Sequence, residues 1–439
     1  MALKEYWQMA KEVFSNRNVM SIALTNMSYS LIQQAWNPFW PKYLKDNLGA
    51  STVAIGLISG INTAETMLFS LPGGLLADKY GRKKVIVWGT LLRTLSPLVY
   101  LIAPSWEWII LASLFNGMTS IYMPAFTAIV ADSMPPRRRG TGYGVYNAIT
   151  LFPAIISPIV GGICMDAWGY ILGLRIFLIA QIIVSLAISL IRYKFTEETI
   201  TTKSKESLKS KFSVKLVTEQ SRPLKIMILV AMIGSFSSRL VFDFTNLYAL
   251  DVIKISNTQL GLVQTLVGIT MVGLSIPSGM LSDKYGRKGN IMASRVTNPV
   301  TQWILAYATT FELYAGGRLL NGVAQALGGG GQQAGGPSWN ALIADLIPAE
   351  KRATFIGTQN TLTALVGSPS AILGGWLWQT YSPQTPFVVS GIIGLVAAVL
   401  FWWGVDEPTN EEKHETNLKR EKEIAVKNQD KINTNSSPK

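Results

Sequence analysis

Apolar residues in this chain gather into runs of about 20, and short polar stretches separate them. A run of that length crosses roughly 30 Å of hydrocarbon as a helix. Clear runs cover residues 85–103, 109–130, 171–191, 226–242 and 387–403. The whole pattern predicts twelve helical spans, at about 19–43, 52–78, 85–103, 107–132, 141–166, 170–191, 224–250, 257–283, 289–309, 312–345, 353–380 and 385–404. The expected fold class is an all-α polytopic membrane protein. The first 18 residues are polar and the first apolar run begins near Val19, so no cleavable signal peptide is expected.

One segment breaks the pattern. Val323–Asn340, VAQALGGGGQQAGGPSWN, reads like a flexible Gly/Gln linker between soluble domains, yet it falls inside span 10. An internal repeat explains its length. GLLADKYGRKK at Gly74–Lys84 returns as GMLSDKYGRKG at Gly279–Gly289, an offset of 205. The same offset pairs Tyr43 with Tyr248, Asp46 with Asp251, Gly56 with Gly261, and Asn116-Gly117 with Asn321-Gly322. Beyond that point the offset is 213, pairing Pro124, Asp132, Arg139 and Asn147 with Pro337, Asp345, Arg352 and Asn360. Span 10 therefore carries eight extra residues relative to span 4. As one helix it would run about 50 Å from Glu312 to Asp345, against about 38 Å for Glu107 to Asp132. A bulge or unwound turn at about Gly328–Gly336 is expected, because Gly disfavours helix. A lengthened, tilted helix is the alternative. Irregular backbone at that depth must line a cavity or be buried in protein, which makes Gln332 and Gln333 candidate substrate contacts.

The repeat divides the chain into a six-span half at 1–193, a polar linker at 194–223, a second six-span half at 224–404 and a charged tail at 405–439. Parallel halves of this kind are one known way to build a transporter. The motif GxxxDKxGRK between spans 2 and 3, repeated between spans 8 and 9, resembles the loop signature of the major facilitator superfamily. The resemblance covers about residues 15–405. It implies a twelve-helix fold whose halves rock about a central site, moving small solutes by alternating access without ATP hydrolysis.

Charge fixes an expected orientation. Of the 39 Lys and Arg, 31 lie in the termini and the even-numbered loops. By the positive-inside rule that side faces the cytoplasm, with both termini inside a cell membrane. The net charge of +13 then follows from topology rather than from nucleic-acid binding, and a lipid bilayer is the expected surrounding. Charged residues make up 15%, where soluble proteins carry about a quarter. The single cysteine, Cys164, allows no internal disulfide and no thiolate metal site, and the single histidine, His414, lies in the tail. Neither a nucleophile–base set nor a nucleotide loop is visible. An enzyme, a cofactor and a metal are all unexpected, and a monomer is expected.

The loop signature supplies a candidate gate. Gly74, Asp78, Gly81, Arg82 and Lys83 form one copy, and Gly279, Asp283, Gly286 and Arg287 the other. Gly81 and Gly286 permit a tight turn. The resemblance implies that Asp78 faces the start of span 11 near Arg352, where it meets a cation and a helix N-terminus. Asp132, Arg139 and Asp345 add ionic partners in the same layer. A plain positive-inside anchor is the alternative. Span 5 reads PAIISPIVGG at Pro153–Gly162 and partly matches a GxxxGPxxGG pattern of superfamily antiporters. It keeps Pro158, Gly161 and Gly162 but has Pro153 and Ser157 in place of glycines. Close helix packing is the ordinary reading.

Ionisable residues at membrane depth are functional candidates by default. Glu65 lies 13 residues from Asp78, about 20 Å along a helix, and so near the midplane. With no histidine in the spans, a carboxylate must carry any coupling proton, which nominates Glu65 and Asp243. Asp243 and Arg239 are four apart on one helix face and read either as a neutralised pair or as cavity groups that exchange partners. Arg93 can pair with Glu65 or bind an anionic substrate. Arg295 is placed to snorkel to the membrane surface, and Arg318 opens RLLNG in span 10, which loosely resembles the RxxxG of a proton-coupling motif that the family shows in span 4, where this chain has Ser113. Spans 1, 4, 7 and 10, with parts of 5 and 11, line the cavity in the superfamily. Gln34, Trp36, Asn37, Asn147 and Asn360 are therefore further candidate contacts, although Trp36 and Trp40 fit an interfacial belt equally well. The expectation is a proton-coupled exporter of an amphiphilic or drug-like small molecule. The alternatives are a proton-coupled uptake symporter for a metabolite or organic acid and, remotely, a non-transporting sensor.

Overall fold

The protein is described from a computed structural model covering residues 11–12, 14–117, 119–133, 139–198, 222–328, 337–347 and 349–406. The described residues are helical almost throughout and contain no strand. Span 1 is Arg17–Trp36, a 3-10 turn Asn37–Phe39, and Trp40–Leu48. Pro38 and Pro41 lack the N–H that a continuous helix needs, which breaks the span there. Span 2 is Thr52–Tyr80, and span 3 is Arg82–Arg93 with Leu95–Ile102. Glu107–Gly117 and Thr119–Asp132 form span 4. Spans 5 and 6 run together as Arg139–Phe195, with the non-helical turn at Gly169 marking the boundary expected at 166–170.

In the second half, span 7 is Arg222–Tyr248 and ends in a π turn, Ala249–Ile253. Spans 8 and 9 are Asn257–Tyr285 and Arg287–Ala306, and spans 11 and 12 are Ala349–Thr380 and Thr385–Gly404. Six stretches among the described residues are long and apolar enough to cross a membrane on composition alone.

Span 10 is two helices, Phe311–Gly328 and Pro337–Leu346, and residues 329–336 lie outside the described set. The expected bulge, with Gln332 and Gln333, falls in that interval. The flanking residues are informative. Ser338 Oγ donates to the Leu327 carbonyl at 3.0 Å. Eleven residues of straight helix would separate the two by about 16 Å, so Leu327 and Ser338 do not share one straight helix. Ser278 Oγ donates to the same carbonyl at 3.1 Å, satisfying an acceptor that a helix end leaves free.

Arg17 pairs with Glu197 at 3.1 Å, and the Lys83 N–H donates to Glu198 at 3.0 Å. These contacts define one end of the bundle, the near end, which bears both chain ends of the described residues. Gly81 and Gly286 turn the chain there with φ of 96° each, a conformation that side chains rarely adopt. Between the halves, span 2 packs on span 11 and span 5 on span 8, two pairings that the repeat makes equivalent. The described buried apolar residues fall into three clusters. One joins both halves at the far end, with Trp36, Leu48 and Ile55 alongside Phe244, Tyr248 and Leu260. The other two lie toward the near end, each within one half: around Ile22, Ile86 and Phe126, and around Met227, Trp339 and Phe355. Among the described residues an apolar cluster thus joins the halves at the far end, and none joins them at the near end.

Candidate functional site: a two-lobed cavity between the halves

The two halves enclose a cavity with a first lobe of about 620 Å³ and a second of about 410 Å³. Asn37, Trp40, Phe242 and Asp243 belong to both lobes. The break in span 1 falls at this junction, where Pro38 and Pro41 interrupt the helix and Trp36, Asn37 and Trp40 all face the cavity. Trp36 is 5% exposed and donates from Nε1 to Gln181 at 2.7 Å. Its ring meets Trp40 edge-on at 5.3 Å, and Trp40 lies 4.7 Å from Tyr100. These tryptophans line the cavity and do not form a lipid-facing belt. Gln34 faces the second lobe, and Asn360 of span 11 the first.

Arg239 and Asp243 both line the first lobe. They share a helix face but lie beyond ion-pair distance. Arg239 stands 5.4 Å from the Phe242 ring, and Asp243 keeps Oδ2 without a hydrogen-bond partner. The neutralised-pair reading therefore gives way to two cavity groups.

Glu65 is 3% exposed, and neither carboxylate oxygen has a hydrogen-bond partner among the described residues. It is not a lining residue. Asn62, one turn away on span 2, and Asn116 of span 4 line the first lobe, and Glu65 sits behind them. Gly117 makes room for it: a Cβ at that position would come within 2.8 Å of Oε2 and 2.6 Å of the Glu65 Cβ. Arg93 does not reach Glu65, and it too lies off the lining. Its Nη1 donates to Tyr122 at 2.9 Å and its guanidinium lies 3.4 Å from the Tyr29 ring, so aromatic neighbours occupy the faces a carboxylate would need.

Arg295 does not snorkel. It turns inward over Trp339 at 5.0 Å and fills the space left by Gly234. Arg318 lines the second lobe and donates from Nη2 to Gln264 at 3.0 Å. The side chains of Asp78, Asp132, Arg139, Asn147, Asp283, Asp345 and Arg352, together with Gly74, lie outside the described set, so the gate partners expected for Asp78 do too.

Sequence reasoning passed over the far-end closure. Lys42 and Lys45 of the first half both reach Asp251 of the second, the former at 2.5 Å. Asp166 of span 5 accepts from the Asn257 and Thr258 backbone N–H groups at 3.1 and 2.8 Å, occupying the open N-terminus of span 8. Tyr170 adds a hydrogen bond to Asn257. The one available signal was a cation–anion imbalance in the far-end loops.

The chain is similar along most of its length to known transporters. An uncharacterized MFS-type transporter of Methanocaldococcus jannaschii is 24% identical over 88% of this chain and 94% of its own. A multi-drug resistance efflux pump PmrA homolog of Lactococcus lactis is 27% identical over 74% of this chain and 78% of its own. Among solved structures, the nucleoside transporter NupG superposes with a TM-score of 0.69 at 15% identity, covering 88% of this chain and 98% of that one. A bacterial homolog of the human lysosomal transporter Spinster, in an inward-facing and occupied conformation, gives 0.69 at 12% identity over 88% and 96%. The family profile described as Major Facilitator Superfamily matches residues 22–256 and 228–431. With both halves matched and the cavity lying between them, the chain belongs to the Major Facilitator Superfamily.

Proposed function

We propose that this transporter is a proton-coupled exporter that exchanges an amphiphilic, drug-like solute for protons across a cell membrane, with its near end in the cytoplasm. The observation that carries the reading is Glu65, a buried carboxylate behind the cavity lining with no hydrogen-bond partner among the described residues. A lone charge in that position is costly, and taking up a proton removes the charge. Proton binding at Glu65 thereby favours one packing of spans 2 and 4 over another, and Asp243 offers a second protonatable group on the lining itself. The aromatic junction of Trp36, Trp40 and Tyr100 suits an apolar body, while the amides and charges around it suit polar substituents. The multi-drug efflux pumps among its relatives add support for export. The far-end contacts and the Asp78 signature are, in this reading, the two alternating closures.

The test is proton flux in proteoliposomes loaded with candidate amphiphiles. Movement of protons against the solute is expected, and Glu65→Gln should abolish it. Unchanged proton-coupled transport in that variant would remove Glu65 from the mechanism, and protons moving with the solute would establish symport.

A further inference from the structure

Span 10 carries Arg318, Asn321 and Gln325 at spacings of three and four, so the three share one helix face, and all of them line the second lobe. The amides there are joined to one another. Gln325 donates to Asn321 at 2.7 Å, and Asn321 and Gln302 donate to Asn298 at 3.4 and 3.2 Å. Gln264 donates to Asn246 at 2.6 Å. Arg318 enters this network through Nη2 and Gln264, and its Nε is buried without an acceptor. Among the described residues it has no carboxylate within ion-pair distance.

The other deep arginines are placed differently. Arg239 has Asp243 one turn away, and Arg93 rests on Tyr29 and Tyr122. Arg192 donates to Thr25, Thr90 and Asn26 at 3.1, 2.7 and 3.0 Å. Arg295 borders a void of only about 20 Å³. Two of the deep arginines line the main cavity: Arg239 has Asp243 on its own helix face, whereas Arg318 has no acid on its face of span 10, and Asp243, which also borders the second lobe, is not within ion-pair distance of it. A guanidinium held in a membrane interior calls for a counter-charge, and where the protein supplies none a ligand can.

We propose that Arg318 receives the anionic head group of the transported amphiphile, a carboxylate above all, while the solute's aromatic or apolar body lies against Trp40 and Phe242 at the junction of the lobes. The planar guanidinium fork matches a carboxylate, and the second amide hydrogens of Asn321 and Gln325 are further donors on the same face. The assignment rests on the cavity being the solute site. Direction of transport and proton coupling play no part in it.

The test is calorimetric binding to the full-length protein in detergent, comparing 1-naphthylacetate with its uncharged isostere 1-naphthylacetamide. The acid is expected to bind at least about tenfold more tightly, the measure of one charge-assisted hydrogen bond. Arg318→Gln should erase that preference, costing the acid more affinity than the amide. Equal affinities in the unaltered protein, no binding of the acid, or a preference that survives Arg318→Gln would each overturn the proposal. Should Arg318→Gln fail to fold, Arg318→Lys keeps the charge without the fork and is expected to lose part of the preference. An unaltered preference in that variant overturns the proposal as well. Chloride displacing the acid as readily as unlabelled acid does would mark a free-ion site and overturn the head-group assignment. The proton-flux experiment reads a different quantity, so either result stands without the other.

Discussion

Lys42 and Asp251, 209 residues apart, meet at 2.5 Å across the boundary between the two halves. The same lysine reaches Asp46, the counterpart of Asp251 in the repeat, at 2.9 Å. Two carboxylates related by the repeat thus share one cation, and Lys45 adds a second on Asp251. The Lys42 and Asp251 side chains are 20% and 11% exposed, which shields the contact from salt more than a surface pair would be.

Replacing Asp251 with Asn removes the charge and keeps the shape. The closed far end should lose about 1–2 kcal/mol, between the value of an exposed pair and that of a buried charged hydrogen bond. Spin labels at Asn47 and Lys254, both exposed, would report the change in a Cys164→Ser background. A growing population of longer distances is expected, and an unchanged distribution would show that the apolar cluster alone holds this end shut.

Gly162 tests the same closure by sterics. A Cβ there would approach the Asn257 carbonyl oxygen to 2.3 Å, and that neighbour is backbone that cannot rotate away. Gly162→Ala should therefore part spans 5 and 8 at the far end while each half keeps its own packing. The expected readout is the same lengthening of label distances with little loss of folded protein. Since Asp166 and the first turn of span 8 share this contact, combining Gly162→Ala with Asp251→Asn should give less than the sum of the two shifts.

Arg93 separates a supporting role from a binding one. Buried between Tyr29 and Tyr122 and off the cavity lining, it holds spans 1, 3 and 4 together. Arg93→Gln should lower the thermal unfolding temperature in detergent, at a cost of about 2–4 kcal/mol for stranding the polar tyrosine hydroxyl and losing the stacked ring contact. Affinity of the folded fraction for naphthyl probes should stay unchanged. A selective loss of affinity at unaltered stability would return Arg93 to the substrate site.

Much of the fold was legible because span length, loop charge and the repeat are local or periodic signals. The paired glycine turns at Gly81 and Gly286 could be read from GxxxDKxGRK, since a sharp turn between two helices needs a positive φ. Side-chain partners were less legible. Arg93 and Glu65 were natural partners by charge, yet the packing of spans 3 and 4 gives the arginine to Tyr122 and leaves the acid facing Gly117. Arg295 looked free to snorkel, but the glycine at 234 opens a pocket that draws it inward. Arg318 looked out of place beside its span 4 counterpart, Ser113. The amides that surround it come from spans 7, 8, 9 and 10, a grouping that only the assembled bundle creates.

Asp243 and Glu65 were both candidates for the coupling proton, and their positions now assign them different consequences. Asp243 lines both lobes, so Asp243→Asn changes the surface that the solute meets. Half-saturation for transport should shift by about tenfold, in a direction set by the solute's own charge. Glu65 lies behind Asn62 and Asn116, so Glu65→Gln removes no contact with the solute. Solute exchange across the membrane without a proton gradient should continue in that variant at unaltered half-saturation, while proton-driven accumulation disappears. Measuring both quantities for both variants separates the two roles. A Glu65→Gln protein that loses affinity, or an Asp243→Asn protein that keeps affinity and loses accumulation alone, would reverse the assignment and move the proton site onto the lining.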